Sequence, residues 1–418
     1  MAGTAAGALR DSDGKIRFFA TPHPMLHPHS LYHDHLKPAE LAFLEQARAF
    51  VAREIAPHAA AWEEKEELPR ELFTKAGRAG LMGMLAPKAV GGQELSMLCF
   101  CLVIEEVARH CGAFAMNLAA HNALCVGHPL GFAGEELKRK IFPSVLNGDW
   151  MVAWALTEPN AGSDTGGVET TATPLPDGTW ELNGHKLYIT MGLHSDRMVV
   201  MAVTGKDEKG KKEFSAFWIE TKDITPVRKV KTSGVRASNT SEFYLKKVRG
   251  ELIGERGRGQ QAALACLDGG RLGIAAMAIG LGRGAVDIAK QRMLTRRQFG
   301  KAIAEFQALQ FKLADCEVEL RAAEALLLQP CVMHARGQRF SLEASVAKLY
   351  ASEAASRAAN SALQICGGWG YTRDTGVERM WRDARLCEIG EGSSEVQRLI
   401  ISRALLKAAA EPSAVPAR

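Results

Sequence analysis

Met151-Val152-Ala153-Trp154-Ala155-Leu156 runs directly into Thr157-Glu158-Pro159-Asn160-Ala161-Gly162-Ser163-Asp164, and the chain changes character there. The apolar run reads as a buried strand. The loop that follows is rich in small and polar residues, so its backbone N–H groups and hydroxyls can hold a cofactor or a phosphate; an ordinary turn is the alternative. Upstream the period is helical. Pro38 opens a helix with Leu41, Leu44, Ala47, Val51 and Ile55 on one side, and Pro57 ends it. Further helical patterns cover about 69–79, 95–111, 114–127 and 134–147. Within 95–111 the adjacent Glu105 and Glu106, lacking a third ligand, read as a solvated face. Cys99 and Cys101 read as packing residues.

Downstream, short alternating runs at 168–172, 179–182, 187–190, 199–204, 214–220 and 243–245 read as strands. Pro176-Asp177-Gly178 and Asn183-Gly184 are the expected turns, and 206–212 is a charged loop. This spacing predicts a compact barrel or sandwich of about 110 residues. Long amphipathic patterns then cover about 262–296, 304–336, 342–367 and 394–408, which predicts a four-helix bundle. The expected fold is therefore mainly α with a β domain: a helical domain over 37–149, a small β-barrel over 150–260 and a helical bundle over 261–410. Residues 1–36 read as an N-terminal extension and 411–418 as a tail.

Composition narrows the function. Apolar residues make up 47% and charged residues 24%, as in soluble globular chains. The net charge of +5 is small against 52 Lys/Arg and 47 Asp/Glu, so no nucleic-acid partner is expected. Nine cysteines without a C-x-x-C pair point to a reducing compartment. No apolar run approaches ~18 residues, so no membrane insertion is expected. The first residues carry Asp11 and Asp13 and no apolar core of a signal peptide. A bacterial-type cytoplasm is the expected location, with a mitochondrial matrix second. His27, His29, His33 and His35 alternate in the extension, but apart from Asp34 nothing beside them supports a metal site, and a surface arm is expected.

Four further stretches carry chemistry. Glu391 lies between Gly390 and Gly392, and Ser394 and Gln397 have the spacing of a capping box at the next helix start. A carboxylate on such a loop is placed to take a proton from a bound substrate; an exposed loop glutamate is the plain alternative. Gly280-Leu281-Gly282-Arg283-Gly284 sits inside a helical pattern and follows no strand, so it reads as close helix packing rather than a dinucleotide fingerprint. Arg296-Arg297-Gln298-Phe299-Gly300 suits a pyrophosphate and a flat ring, or merely ends a helix. Gln364-Ile365-Cys366-Gly367-Gly368-Trp369-Gly370 either lets a backbone pass close to a ligand or caps a helix.

Taken together, in this order and spacing, these motifs resemble the acyl-CoA dehydrogenase family over about residues 38–408. Trp154 to Asp164 is similar to its flavin-binding signature T-E-P-x-A-G-S-D, Arg236 to Thr240 to its R-x-S-x-T element, and Gln364 to Gly368 to its Q-I-x-G-G element. The resemblance implies FAD held by Trp154, Leu156, Thr157, Gly162, Ser163, Tyr188, Ile189, Thr190, Gln364, Gly367, Gly368, Ser393 and Glu395. It implies adenosine-diphosphate contacts from Arg296, Phe299 and Gln307 of a neighbouring subunit, hence a homotetramer. It implies acyl-CoA contacts from Ser163, Asp268, Arg271 and Gly392, and Glu391 as the catalytic base. One branch of the family carries its base just before the arginine of the Asp268–Arg271 segment, where this chain has Gly270.

The implied reaction is α,β-dehydrogenation of an acyl-CoA to the trans-2-enoyl-CoA. Glu391 takes the pro-R α-proton, a hydride passes from the β-carbon to flavin N5, and electrons go on to an electron-transferring flavoprotein. Tyr188 stands where the family commonly has Trp, and Gly390 where many straight-chain members have Tyr; the missing ring leaves room at the acyl end for a branched or bulky chain. A flavin monooxygenase or oxidase on the same fold is the alternative, and a non-enzymatic acyl-CoA-binding protein the third.

Overall fold

The structure, a computed structural model, describes residues 9–10, 16–17, 32–222, 224 and 227–410. His27 and His29 lie outside the described residues. The two-residue strands β1 (Leu9–Arg10) and β2 (Ile16–Arg17) pair antiparallel. Tyr32, within the stretch expected to be an extension, is buried in the main core. Among the described residues no group of His, Cys, Asp and Glu could hold a metal ion.

The helical part that follows comprises α1 (Pro38–Phe50), α2 (Ala59–Lys65), α3 (Arg70–Arg78), α4 (Met97–Ala108), α5 (Gly112–Ala120), α6 (Gly127–Phe132) and α7 (Glu135–Leu146). α1 and α5 each run on into a π-helical turn, Val51–Ile55 and His121–Val126. Widened turns of this kind are frequent at functional sites. Glu105 corrects the expectation of a solvated face. It is fully buried, and burial pushes its carboxyl up to about 8 against the pull of Arg283 and Arg109. The reason is its position on α4, at the crossing with the long helix of the bundle.

The barrel is built from β3 (Val152–Ala155), β4 (Thr171–Pro174), β5 (Trp180–Ile189), β6 (Arg197–Lys206), β7 (Lys212–Glu220), β8 (Val227–Lys229) and β9 (Ser241–Ile253). The strand order β6-β4-β5-β9-β7 closes on itself because β6 also pairs β7; β3 adds parallel to β6, and β8 adds to β9. Phe217, Phe243, Leu182, Leu245, Met198 and Val200 fill the interior. The expected turn at Asn183-Gly184 is instead a bulge inside one continuous strand, β5, where the register against β9 shifts. Gly184 is needed there because a Cβ would stand 2.2 Å from Thr170 Oγ1.

The bundle comprises α8 (Gly259–Thr295), α9 (Gln307–Ala335), α10 (Ser341–Cys366), α11 (Val377–Cys387) and α12 (Ser394–Ala410), with a tiny hairpin, β10 (Arg297–Gln298) and β11 (Lys301–Ala302), between α8 and α9. α11 was not expected. It is short and charged, but Val377, Met380, Ala384 and Cys387 fall on one side and are buried. α8 is long and apolar enough to cross a membrane, against expectation, but 89% of its most apolar window is buried in this chain, so it is the central core helix. Gly280 and Gly284 let α4 approach it: a Cβ at either would meet a carbonyl oxygen, Glu105 O at 2.3 Å or Arg109 O at 2.4 Å. All nine cysteines are free and buried.

Candidate active site

Three barrel segments converge beside the Thr157–Asp164 loop. Leu187 N–H donates to Thr157 O (3.0 Å), and Met191 N–H donates to Ser238 O (3.3 Å). Tyr188, Met191 and Asn239 all have positive φ, at 60°, 60° and 57°. For Tyr and Met this is a costly conformation, of the kind that gathers at functional sites.

A buried ion pair fastens the loop. Lys186 Nζ lies 2.7 Å from Glu158 Oε1 and also donates to Met201 O (2.8 Å) and Leu156 O (3.1 Å). Glu158 further accepts Glu169 N–H (2.6 Å) and Thr170 N–H (3.1 Å). Burial pushes the Glu158 carboxyl up, but the Lys186 charge and these hydrogen bonds outweigh it and hold the group below the usual carboxylate range. With its frame fixed, the loop presents Gly162 and Ser163 outward, and Tyr188 is 60% exposed. Trp154 is half-buried, its indole N–H 3.4 Å from His128 Nδ1. The Ile189 side chain belongs to the barrel core, so only its main chain is free to meet a ligand.

Glu391 occupies the turn between α11 and α12, with φ 53° followed by φ 94° at Gly392. The turn is closed by Gly390 N–H to Leu386 O (2.8 Å) and Ser394 N–H to Glu388 O (2.9 Å). The Gly392 carbonyl accepts from both Lys348 Nζ (2.7 Å) and Gln397 Nε2 (2.9 Å). The expected Ser394–Gln397 capping box is not formed. Ser393 stands before the helix and takes the Val396 N–H, the Ser394 hydroxyl is buried without a partner, and Gln397 reaches back to the turn's carbonyls. The helix begins at Ser394 itself, so the pair is one position too far along to cap it.

Both carboxyl oxygens of Glu391 are buried and have no hydrogen-bond partner. They lie on Gly270 of α8, where a Cβ would stand 1.9 Å from Oε2. Burial pushes this carboxyl up to about 7, while Lys348 and Arg271 pull it down. Arg271 is buried and pairs with Asp268 (2.5 Å), which also accepts the Ser341 hydroxyl. The expected substrate residues Asp268, Arg271 and Gly392 are thus grouped around Glu391.

The nearby wall is made of small and apolar side chains. Ala120, Ala123, Leu124 and Cys266 form a cluster with Phe132, Trp154 and Leu267 packed against it. Cys266 is one helical turn before Gly270, so this cluster joins the loop segment to the Glu391 turn. An apolar hollow lined by Leu156, Met201, Phe214, Ala263 and Leu264 lies between the barrel and the first turns of α8.

A second group lies apart. Arg296 is 26 residues beyond Gly270, about 39 Å along a helix axis. Near it Phe299 is 92% exposed with φ 52°, and Gln307 and Gln364 are exposed. Arg292 stacks on Trp369 at 4.6 Å, and Gly367 and Gly368 face open space. Ser393 and Glu395 stay with the Glu391 turn. One chain therefore does not bring Arg296, Phe299, Gln307, Gln364, Gly367 and Gly368 to the Glu391 group. The residues suit a flavin dinucleotide: each group offers an aromatic ring left open to solvent, Tyr188 in one and Phe299 in the other, with polar side chains and glycines beside it.

Three residues outside the expected set also build the site: Glu158 with Lys186, and Lys348. A lysine at a core position of the α10 pattern, among Ala344, Ala347, Ala351 and Ser352, was the one available signal for the last.

Family models agree with this architecture. The acyl-CoA dehydrogenase N-terminal, middle and C-terminal domain models match residues 37–149, 153–248 and 257–406. The chain is 38% identical over 363 residues to the short-chain specific acyl-CoA dehydrogenase of Clostridium acetobutylicum, covering 86% of this chain and 95% of the relative. Its structure resembles butyryl-CoA dehydrogenase from Megasphaera elsdenii, with TM-score 0.85 and 34% identity over 89% of this chain and 99% of the other. It equally resembles a chain in the structure of the electron transferring flavoprotein of Acidaminococcus fermentans, with TM-score 0.84 and 34% identity over 89% and 99%.

Proposed function

The chain belongs to the acyl-CoA dehydrogenase family, FAD-binding oxidoreductases acting on CH–CH groups, and from that premise we propose that it oxidises a short straight or branched acyl-CoA to its trans-2-enoyl-CoA, with Glu391 as the base. The observation that carries this reading is the Glu391 carboxyl: buried, without a hydrogen-bond partner, and resting on the only kind of residue, glycine, that leaves room for it.

An ordinary glutamate, with a pKa of ~4.3, is a weak base toward a C–H acid. Burial brings Glu391 to about 7, so it is partly ionised at neutral pH yet basic enough to accept the α-proton. The Glu391 backbone N–H has no acceptor among the described residues, which leaves it free to donate to a thioester oxygen. When bound, FAD supplies the two-electron acceptor for the β-hydride. Trp154, Thr157, Ser163, Tyr188 and Thr190 would hold it on the barrel side. The separation of about 39 Å between Gly270 and Arg296 supports a second copy of the chain as the source of Arg296, Phe299 and Gln307, within a homotetramer.

Ala120, Ala123, Leu124 and Cys266 are packed shut against Phe132, which supports a short acyl group. The glycine at 390 leaves the space beside the base free of a ring, which supports a branch. An electron-transferring flavoprotein is the proposed electron acceptor, in keeping with the Acidaminococcus fermentans neighbour.

The test is anaerobic addition of butyryl-, isobutyryl-, 2-methylbutyryl-, isovaleryl-, octanoyl- and palmitoyl-CoA to the yellow protein. Rapid loss of oxidised-flavin absorbance is expected with one or more of the four short substrates and not with the two long ones. Bleaching by palmitoyl-CoA alone would reject the short-chain reading, and oxygen consumption on reduction would point to an oxidase.

A further inference from the structure

We propose that Lys348 is the positioning residue of the base: it locks the Glu391 turn through the Gly392 carbonyl and adds a positive charge that acts on the carboxylate. This rests on the reading of Glu391 as the base. Lys348 is fully buried, in the middle of α10, in a stripe of Ala344, Ala347, Ala351 and Ser352. A lysine in such a place costs stability unless it serves a specific interaction. Among the described residues the one hydrogen bond of its ammonium goes to Gly392 O (2.7 Å), the residue next to Glu391. That carbonyl also accepts from Gln397 Nε2 (2.9 Å). Two donors from two different helices therefore hold the carbonyl that follows a non-glycine residue at φ 53°. Such a turn persists only when its surroundings over-determine it.

The charged surroundings are few. Glu391 is faced by Lys348 from α10, Arg271 from α8 and the Cys125 thiol from the π-helical turn after α5. Lys348 is faced by Cys387 and Glu388 at the end of α11, by Glu391 and by Arg271. Arg271 already has Asp268 as partner at 2.5 Å, and its effect on Glu391 is spent in part on that pair. Lys348 forms no ion pair with a carboxylate among the described residues, and of the two cations it acts more strongly on Glu391 than Arg271 does. Burial lowers Lys348 to about 8, which leaves it mostly protonated at neutral pH. Without this charge the carboxyl would hold its proton further into the alkaline range and would enter the reaction in the wrong state.

The experiment reads the carboxyl itself. FAD-loaded enzyme labelled with carboxyl-13C glutamate is titrated by infrared difference spectroscopy, with the Glu391→Gln protein as the subtraction reference. Lys348→Met, which keeps the stem and removes charge and donor, is expected to retain FAD. Its Glu391 midpoint should move upward by about one pH unit, the lower end of what an adjacent opposite charge does. The pH profile of flavin bleaching by a reactive acyl-CoA should move the same way. Lys348→Gln, also uncharged, should shift the midpoint similarly, and it decides the matter if the methionine variant does not fold.

An unmoved midpoint in a folded charge-free variant overturns the proposal. Failure of both variants to fold overturns it in favour of a purely structural lysine. The base reading fails separately, if Glu391→Gln is bleached at the wild-type rate, and the titration stands whichever way that goes.

Discussion

Glu158 and Glu391 are the same residue type, both with buried carboxyl groups, and both lie on loops between secondary-structure elements. Their chemistry is opposite. Glu158 has a lysine at 2.7 Å and accepts two backbone N–H groups, and it stays ionised despite burial. The Glu391 carboxyl has no hydrogen-bond partner and is pushed up to about 7. The first carboxylate builds a loop; the second is kept free for a proton. Burial does not make a catalytic group by itself. What matters is which hydrogen bonds the fold leaves unmade. Glu105 sharpens the point: it is also buried and raised, to about 8, yet it sits at the α4–α8 crossing near Arg283 and Arg109, where two helices pack.

The comparison breaks most visibly in turnover. Glu391→Gln should lower the rate of flavin bleaching by at least about 100-fold, and up to about 10,000-fold, the range of a general base, while FAD stays bound. Glu158→Gln should act on stability instead. It strands Lys186 in the interior, at a cost of about 3–5 kcal/mol in thermal or urea unfolding, with weaker FAD retention. If the Glu158 variant were as stable as wild type, the division between the two carboxylates would be wrong.

A third outcome has the opposite sign. The folded Glu391 carboxyl keeps its proton up to about 7, whereas unfolded glutamate loses it near 4.5. Stability is therefore fully present below the unfolded value and falls as pH rises through about 7. Glu391→Gln should remove that loss, giving a gain of roughly 3 kcal/mol at alkaline pH that vanishes in acid, measured as melting temperature against pH.

The smallest effect is steric. Gly270→Ala would place a Cβ 1.9 Å from Oε2. The carboxylate must move, and bleaching should slow by roughly tenfold, a modest cost for displacing a reacting group, with FAD content unchanged.

Much of this was legible beforehand because periodicity and short motifs are local. The change of pattern at Trp150–Leu156, the glycine-flanked Glu391, the Asp268–Arg271 segment and the long bundle helices all stand in the sequence. What was misread depended on neighbours. Asn183-Gly184 has the chemistry of a turn, but Thr170 and β9 hold it inside a strand as a bulge. Ser394 and Gln397 have capping spacing, but the helix starts one residue too early for it. Glu105 looks solvated until α8 covers it. Five charged residues among eleven hid α11, since its five buried positions are apparent only against α8 and α10.

The sequence by itself determined the family, the order of helical, β and helical parts, and the identity of the candidate base, because these are written in residue types at fixed spacings. Only the tertiary structure decided that the Glu391 carboxyl has no hydrogen-bond partner while that of Glu158 has three, that Gly270 lies beneath the first, and that Lys348 reaches the neighbouring carbonyl. The physical reason is that a carboxylate's proton affinity is set by the water it loses and the donors it gains. Both come from residues distant in the chain, which meet only when the helices pack.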